Sequence, residues 1–191
     1  MKKQSVYIII LFLLMSIATG NDRKAEPFST IQWAAGPLMN VGHSDINRYW
    51  RYSGGFTMNA RTPFYFGFTE VGVALHVYDE YKALEFTQIH CYLSFLKEFS
   101  ILKKIPTYLG VTVGNSLFCF DAEENQRLQN ESELTLGIIG CIEIPVTRKL
   151  SAAINSQYSN VFTYHIIETT NLGLLVVYKI TTPCWISELL K

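Results

Sequence analysis

Charge is scarce in this chain, and neither sign dominates: Asp, Glu, Lys and Arg make up 17% of 191 residues, 16 basic against 16 acidic. Without a basic stripe, nucleic acid is excluded as a partner. Cys91, Cys119, Cys141 and Cys184 are scattered, with no CxxC pair and no His at ligand spacing. That leaves no metal site to expect. No G-x-S-x-G, H-E-x-x-H or Walker loop is present, so no cofactor and no enzymatic activity are expected. Also missing is any apolar run of the ~20 residues that a membrane-spanning helix needs.

The nearest approach to such a run is Val6 to Ile17, preceded by Lys2 and Lys3 and followed by Ala18-Thr19-Gly20. A charged start, a short apolar stretch and a small-residue site describe a secretory signal peptide over residues 1–20, cleaved after Gly20. A signal anchor is the alternative, but no stop-transfer pattern follows. Removing the two lysines leaves 14 basic against 16 acidic residues. Export places the cysteines in an oxidising compartment, where an even count allows disulfides. Two of the four fall inside expected strands, so most read as small apolar side chains.

What is abundant is aromatic residues, 11 Tyr and 12 Phe, and an alternation of period 2 from residue 30 onward. In Glu133–Ile144, Leu134, Leu136, Ile138, Ile142 and Ile144 share one face. Glu133, Thr135, Gly137, Ile139, Cys141 and Glu143 share the other. In Thr107–Leu117, Leu109, Val111 and Val113 oppose Tyr108, Thr112 and Ser116. In Leu150–Asn160, Leu150, Ala152, Ile154 and Tyr158 oppose Ser151, Asn155, Gln157 and Ser159. The last strand, Asn171–Ile180, sets Leu172, Leu174, Val176 and Tyr178 against Lys179.

The N-terminal half repeats the pattern less cleanly: Ile31, Trp33 and Ala35; Phe56, Met58 and Ala60 against Arg61; Val71 to Val77 against Glu70 and His76; Ile89 to Phe95 against His90. That makes eight strands near the ~9–11 residues of a tilted membrane strand. Only Glu85–Lys104 is ambiguous. Residues 30–180 are therefore expected to form one domain, with an N-terminal segment over 21–29 and a tail over 181–191.

The connections roughly alternate in length. Gly42–Ser53, Asp79–Glu85, Asp121–Ser132 and Val161–Thr170 are the longer ones. Thr62-Pro63, Glu98–Lys104 and Pro145–Lys149 are the shorter. An up-and-down barrel in a bilayer has short turns at one end and longer loops at the other. Period 2 cannot tell which face points out, and a soluble, calycin-like binder of apolar ligands would invert the assignment. The charge-poor apolar face suits lipid. The opposite face, small and polar with isolated Arg61, Glu70, His76, His90, Glu143 and Lys179, suits a narrow lumen filled by paired charges. Trp50, Tyr49 and Tyr52, and Phe64, Tyr65, Phe66 and Phe68, are expected as interfacial girdles. His43 and His165 read as loop residues. Asn130-Glu131-Ser132 matches a glycosylation sequon that matters little in a bacterial host.

Three stretches carry a family resemblance: Ile105-Pro106-Thr107-Tyr108-Leu109-Gly110-Val111-Thr112-Val113-Gly114, Gly137-Ile138-Ile139-Gly140-Cys141-Ile142-Glu143-Ile144-Pro145, and Asn171-Leu172-Gly173-Leu174-Leu175-Val176-Val177-Tyr178. In these the chain resembles the porin-like outer-membrane β-barrel family, the small OmpX and OmpA-membrane-domain kind. The resemblance implies an eight-stranded antiparallel up-and-down transmembrane β-barrel. It also implies a location in the cell outer membrane, contact with outer-membrane lipid, delivery by the outer-membrane assembly machinery and a monomeric state. The implied role is structural or surface-interacting (adhesin-like). Such barrels commonly finish on an aromatic residue, whereas this chain runs past Ile180 through Cys184 and Trp185 to Lys191. Gln157-Tyr158-Ser159-Asn160 resembles the H-x-S-N segment of outer-membrane lipid A deacylases. Gln157 stands where the base histidine would be and cannot take its proton, so a degenerate deacylase-like barrel is the weaker alternative.

Overall fold

A computed structural model describes residues 26–41, 46–81, 85–101, 105–120, 130–164 and 166–183, with the side chains of 100 and 101 left out. The expected signal peptide, His43, His165 and the tail from Cys184 onward lie outside the described residues. The described residues form eight strands: β1 (Thr30–Asn40), β2 (Trp50–Phe64), β3 (Gly67–Glu80), β4 (Phe86–Ile101), β5 (Ile105–Phe120), β6 (Glu131–Pro145), β7 (Leu150–Phe162) and β8 (Ile166–Thr181). A short helix, α1 (Ile46–Tyr49), precedes β2.

Each strand pairs antiparallel with its sequence neighbour, and β1 pairs with β8, closing the barrel. The register sets its shape. The row Gln32–Arg61–Glu70–Ser94–Thr112–Gly137–Ser159–Thr169 reaches β8 ten residues from Lys179, the residue that pairs directly with Gln32. A stagger of this size goes with strands tilted about 40° and an interior just wide enough for side chains. No helix among the described residues is long and apolar enough to cross a membrane; the crossing elements are strands.

The orientation of one strand decides the sign of the barrel. Leu136 is 42% exposed on the outer surface, while Glu143 on the opposite face of β6 is 0% exposed. The same holds around the wall: Val71, Leu93, Val111, Ile154, Leu174 and Val176 point outward, and Glu70, Ser94, Thr112, Asn155 and Gln157 are buried. This outside is wettable by hydrocarbon and not by water. The soluble, inverted reading is thereby overturned, because it needs these apolar side chains inside.

Several expected boundaries shift, each for a local reason. The first turn is Tyr65-Phe66 and not Thr62-Pro63, since Phe64 still pairs with Gly67 and Pro63 with Phe68. Pro63 fits because its backbone faces past the end of the β1 ladder, where its carbonyl accepts from Phe28 N at 2.9 Å. That contact anchors the chain's entry. Ser29 N donates to Glu26 O at 3.1 Å across Pro27-Phe28, and Phe28 has φ 59°, a left-handed conformation costing a bulky residue about 1–2 kcal/mol. The ring of Phe28 meets that of Phe64 edge-on at 5.8 Å and offsets the cost.

β2 begins at Trp50, inside the expected Gly42–Ser53 loop, because an irregularity between Tyr52 and Gly54 lets the ladder continue. The ambiguous Glu85–Lys104 segment resolves into β4, which runs to Ile101, the partner of Ile105 at the start of β5; residues 102–104 lie outside the described residues. The Val161–Thr170 connection shrinks to 163–165, as Val161 and Phe162 still pair with Ile167 and Ile166. The short turns, with both chain ends of the barrel, therefore gather at one foot, and the longer loops at the opposite mouth.

An arginine placed at mid-height on the outer surface tests this orientation. Leu174→Arg, at a position 55% exposed, is expected to destabilise the folded barrel in lipid vesicles by ~2–4 kcal/mol in urea titration. A neutral outcome would indicate a water-facing exterior.

Candidate functional site

All six ionisable residues singled out from the sequence point into the barrel, at three levels. At the foot, Glu143 on β6 pairs with Lys179 on β8, whose ammonium lies 2.5 Å from Glu143 Oε1 and remains partly accessible. Above them, Arg61 on β2 faces Glu70 on β3, its direct cross-strand partner. Arg61 Nε and Nη2 donate to Glu70 Oε2 at 2.9 and 2.8 Å. The guanidinium also lies 4.2 Å over the ring of Tyr108. Both members are buried, Arg61 at 3% and Glu70 at 0% exposure. Around them pack Leu96, Ala34, Ile139, Cys141, Ala153, Leu175 and Val177, with Phe68 against Tyr108 at 5.1 Å.

His76 and His90 belong to a different level, away from the ion pairs. His90 Nδ1 lies 3.1 Å from Ser116 Oγ, which is also 2.9 Å from Thr135 Oγ1 and accepts from Gln88 Nε2 at 3.0 Å. Gln157 reaches His90 Nε2 at 3.4 Å and donates to Ser159 Oγ at 3.2 Å. His76 faces Tyr52, whose hydroxyl donates to Leu38 O at 2.9 Å. Below, His90 stacks on Tyr92 at 5.3 Å, and Asn59 donates to the Tyr92 hydroxyl at 3.4 Å. Tyr92 fits because its cross-strand partner is Gly72: a Cβ there would meet the tyrosine ring at 2.5 Å. Among these six residues the structure therefore makes two ion pairs, sets His90 in a hydrogen-bonded belt and His76 beside Tyr52, and does not join all six into one network.

Near the mouth, an aromatic cluster gathers residues that sequence reasoning placed elsewhere or left out. Tyr78 and Phe86 stack at 4.6 Å and 15°, with Phe118, Val161 and Ile46 buried beside them. Trp50 meets Phe86 edge-on at 5.2 Å, and Tyr52 meets Tyr78 at 5.3 Å. Trp50 and Tyr52 are thus interior residues and not girdle residues, because the irregularity at Ser53 resets the alternation above it. Phe68 is corrected in the same way: with the turn at Tyr65-Phe66, its position faces inward, while Tyr65 and Phe66 stay exposed. Tyr78 and Phe86 were within reach of the alternation, since Tyr78 continues the Glu70–His76 face by two residues.

The hydroxyl that resembled a deacylase serine, Ser159, is buried inside at 3% exposure beside Gln157. Cys91 is exposed on the outer wall and Cys141 is buried near Arg61. No disulfide joins Cys91, Cys119 or Cys141 among the described residues, and these hold no metal-ligating group.

With the closed eight-stranded wall, apolar outside and polar inside, the fold can be compared with known ones. No protein-family model matches this sequence, and no curated protein matches it. Among solved structures, that of Neisserial surface protein A (NspA) superposes with a TM-score of 0.53 at 16% identity, covering 79% of this chain and 96% of that one. The outer membrane protein OprG from Pseudomonas aeruginosa superposes at 0.57 with 10% identity, covering 84% and 100%. This is the fold of the small outer-membrane β-barrels. At such low identity the shared property is the barrel itself.

Removing one member of the buried pair strands the other's charge in the lumen. Arg61→Leu is expected to cost ~3–5 kcal/mol in denaturant unfolding of the vesicle-inserted barrel. Arg61→Leu combined with Glu70→Leu should recover much of that loss. A double variant as unstable as the single would show that Arg61 acts through packing on Tyr108 alone.

Proposed function

We propose that this chain is a small, sealed, integral outer-membrane protein whose barrel serves as an anchor and whose loop end makes its contacts, in a structural or surface-interaction role. The observation carrying this reading is the pair of closures inside one narrow barrel. The aromatic cluster of Tyr78, Phe86 and Phe118 fills the mouth, and Arg61, Glu70, Tyr108 and Leu96 fill the lower interior. An interior of eight strands has room for side chains and little else. Such a barrel acts by what it displays, not by what it passes.

The role is also non-catalytic. Ser159 is turned away from lipid and has a glutamine, not a base, within reach. Closure within a single chain leaves no strand edge that demands a second copy, which supports a monomer. The surface role is supported by the likeness of the fold to that of NspA, which is named as a surface protein.

Planar-bilayer recording tests the sealed lumen. The full-length protein is expected to insert without discrete conductance steps, to fractionate with outer membranes and to shift on a gel upon heating. Sustained open-channel steps at neutral pH would overturn the reading. Ser159→Ala should leave acyl release from membrane lipid at background, and any release that the substitution abolishes would replace this reading with the deacylase one.

A further inference from the structure

Among the described residues the loop end is strongly acidic, whereas the foot is nearly balanced, with Lys97, Arg148, Lys149 and Lys179 against Glu26, Glu98 and Glu143. At the loop end the described residues include Asp79, Glu80, Glu85, Glu131, Glu133 and Glu168 against Arg48 and Arg51. At the foot, the β6–β7 turn presents Arg148 and Lys149 side by side, both exposed and neither in an ion pair among the described residues. The nearby carboxylate, Glu143, points into the lumen and is already held by Lys179.

That turn is rigid for its length. Val146 N and Thr147 N both donate to Leu150 O, at 3.0 and 2.8 Å, and Leu150 N donates to Thr147 Oγ1 at 3.0 Å. Lys179 N donates to Lys149 O at 2.8 Å, tying the turn to β8. Immediately beside it the outward residues are Ile144, Leu150 and Tyr178, all exposed and apolar or aromatic. The chain therefore passes from hydrocarbon-facing Leu150 to cationic Lys149 in one residue.

We infer that this turn is a binding site for the phosphate of an anionic glycerophospholipid in the leaflet at the foot of the barrel. Arg148 and Lys149 hold the headgroup, and Ile144, Leu150 and Tyr178 support its acyl chain. The inference rests on the membrane reading proposed above and adds to it a preferred lipid. Charge complementarity selects the occupant. A phosphate diester accepts hydrogen bonds from a guanidinium in a paired geometry and attracts an ammonium as a point charge. At the loop end, Arg48 and Arg51 stand among six carboxylates of the described residues, which repel a phosphate.

The test uses the full-length barrel folded into vesicles of phosphatidylcholine mixed with phosphatidylglycerol, followed by native mass spectrometry of the lipids retained. Wild type is expected to retain phosphatidylglycerol in preference to phosphatidylcholine. Arg148→Gln with Lys149→Gln should lower that preference about tenfold, in line with the attraction of two interfacial cations. Arg148→Lys with Lys149→Arg should restore most of it, and Arg48→Gln with Arg51→Gln should leave it unchanged. Equal retention of both lipids by wild type overturns the inference, as does an equal loss when the loop-end arginines are removed. Failure to fold into pure phosphatidylcholine vesicles would instead count against the membrane reading, so the two ideas fail separately.

Discussion

Hydrocarbon provides no hydrogen-bond partners, so a strand placed in it must find both of its neighbours within the protein. For β1 and β8 this is satisfied only by pairing with each other, from Thr30↔Thr181 to Asn40↔Asn171. Closure with a ten-residue stagger follows from that pairing, and the stagger in turn sets a narrow interior. Every other property of the molecule is arranged around those dimensions. Glycine stands opposite Tyr92 because the lumen cannot hold a Cβ and the tyrosine ring at one place.

The narrow interior also explains why its charges come in pairs. A lone arginine at the position of Arg61 would face a large desolvation cost; Glu70, its register partner, supplies the counter-charge without any rearrangement of backbone. Glu143 and Lys179 solve the same problem nearer the foot, with Lys179 partly in solvent. Between these pairs and the aromatic mouth, His90, Gln88, Ser116, Thr135 and Gln157 hydrogen-bond one another. Buried polar groups that partner one another in this way stiffen the wall.

The two ends divide the remaining work. At the foot, tight turns end the apolar wall abruptly and place cations where lipid phosphates lie. At the mouth, strands continue above the belt and carry acidic side chains and exposed Tyr164 into solvent. Loops held on such a scaffold can vary without disturbing the wall, because the ladder between Asn59–Gly72 and Ile138–Tyr158 is complete below them.

The sequence by itself determined the strands and their two faces. The alternation through Glu133–Ile144 and Leu150–Asn160 is present in the observed burial residue by residue, because a side-chain period of 2 is a local property of the extended chain. Which face turned outward was not local, and it was decided by closure: Leu136 outside and Glu143 inside are statements about the whole ring. The same limit hid the mouth. Trp50, Tyr52 and Phe68 look like girdle aromatics until the irregularity at Ser53 and the turn at Tyr65-Phe66 fix their parity. Ion pairing was likewise out of reach: the sequence marked Arg61, Glu70, Glu143 and Lys179 as one inward set, and only the register between strands selected Arg61 for Glu70 and Lys179 for Glu143. Arg61 meets Glu70 through the register of the β2–β3 hairpin, while Lys179 meets Glu143 through the offsets of two hairpins, β6–β7 and β7–β8, and a side-chain period of 2 contains none of these offsets.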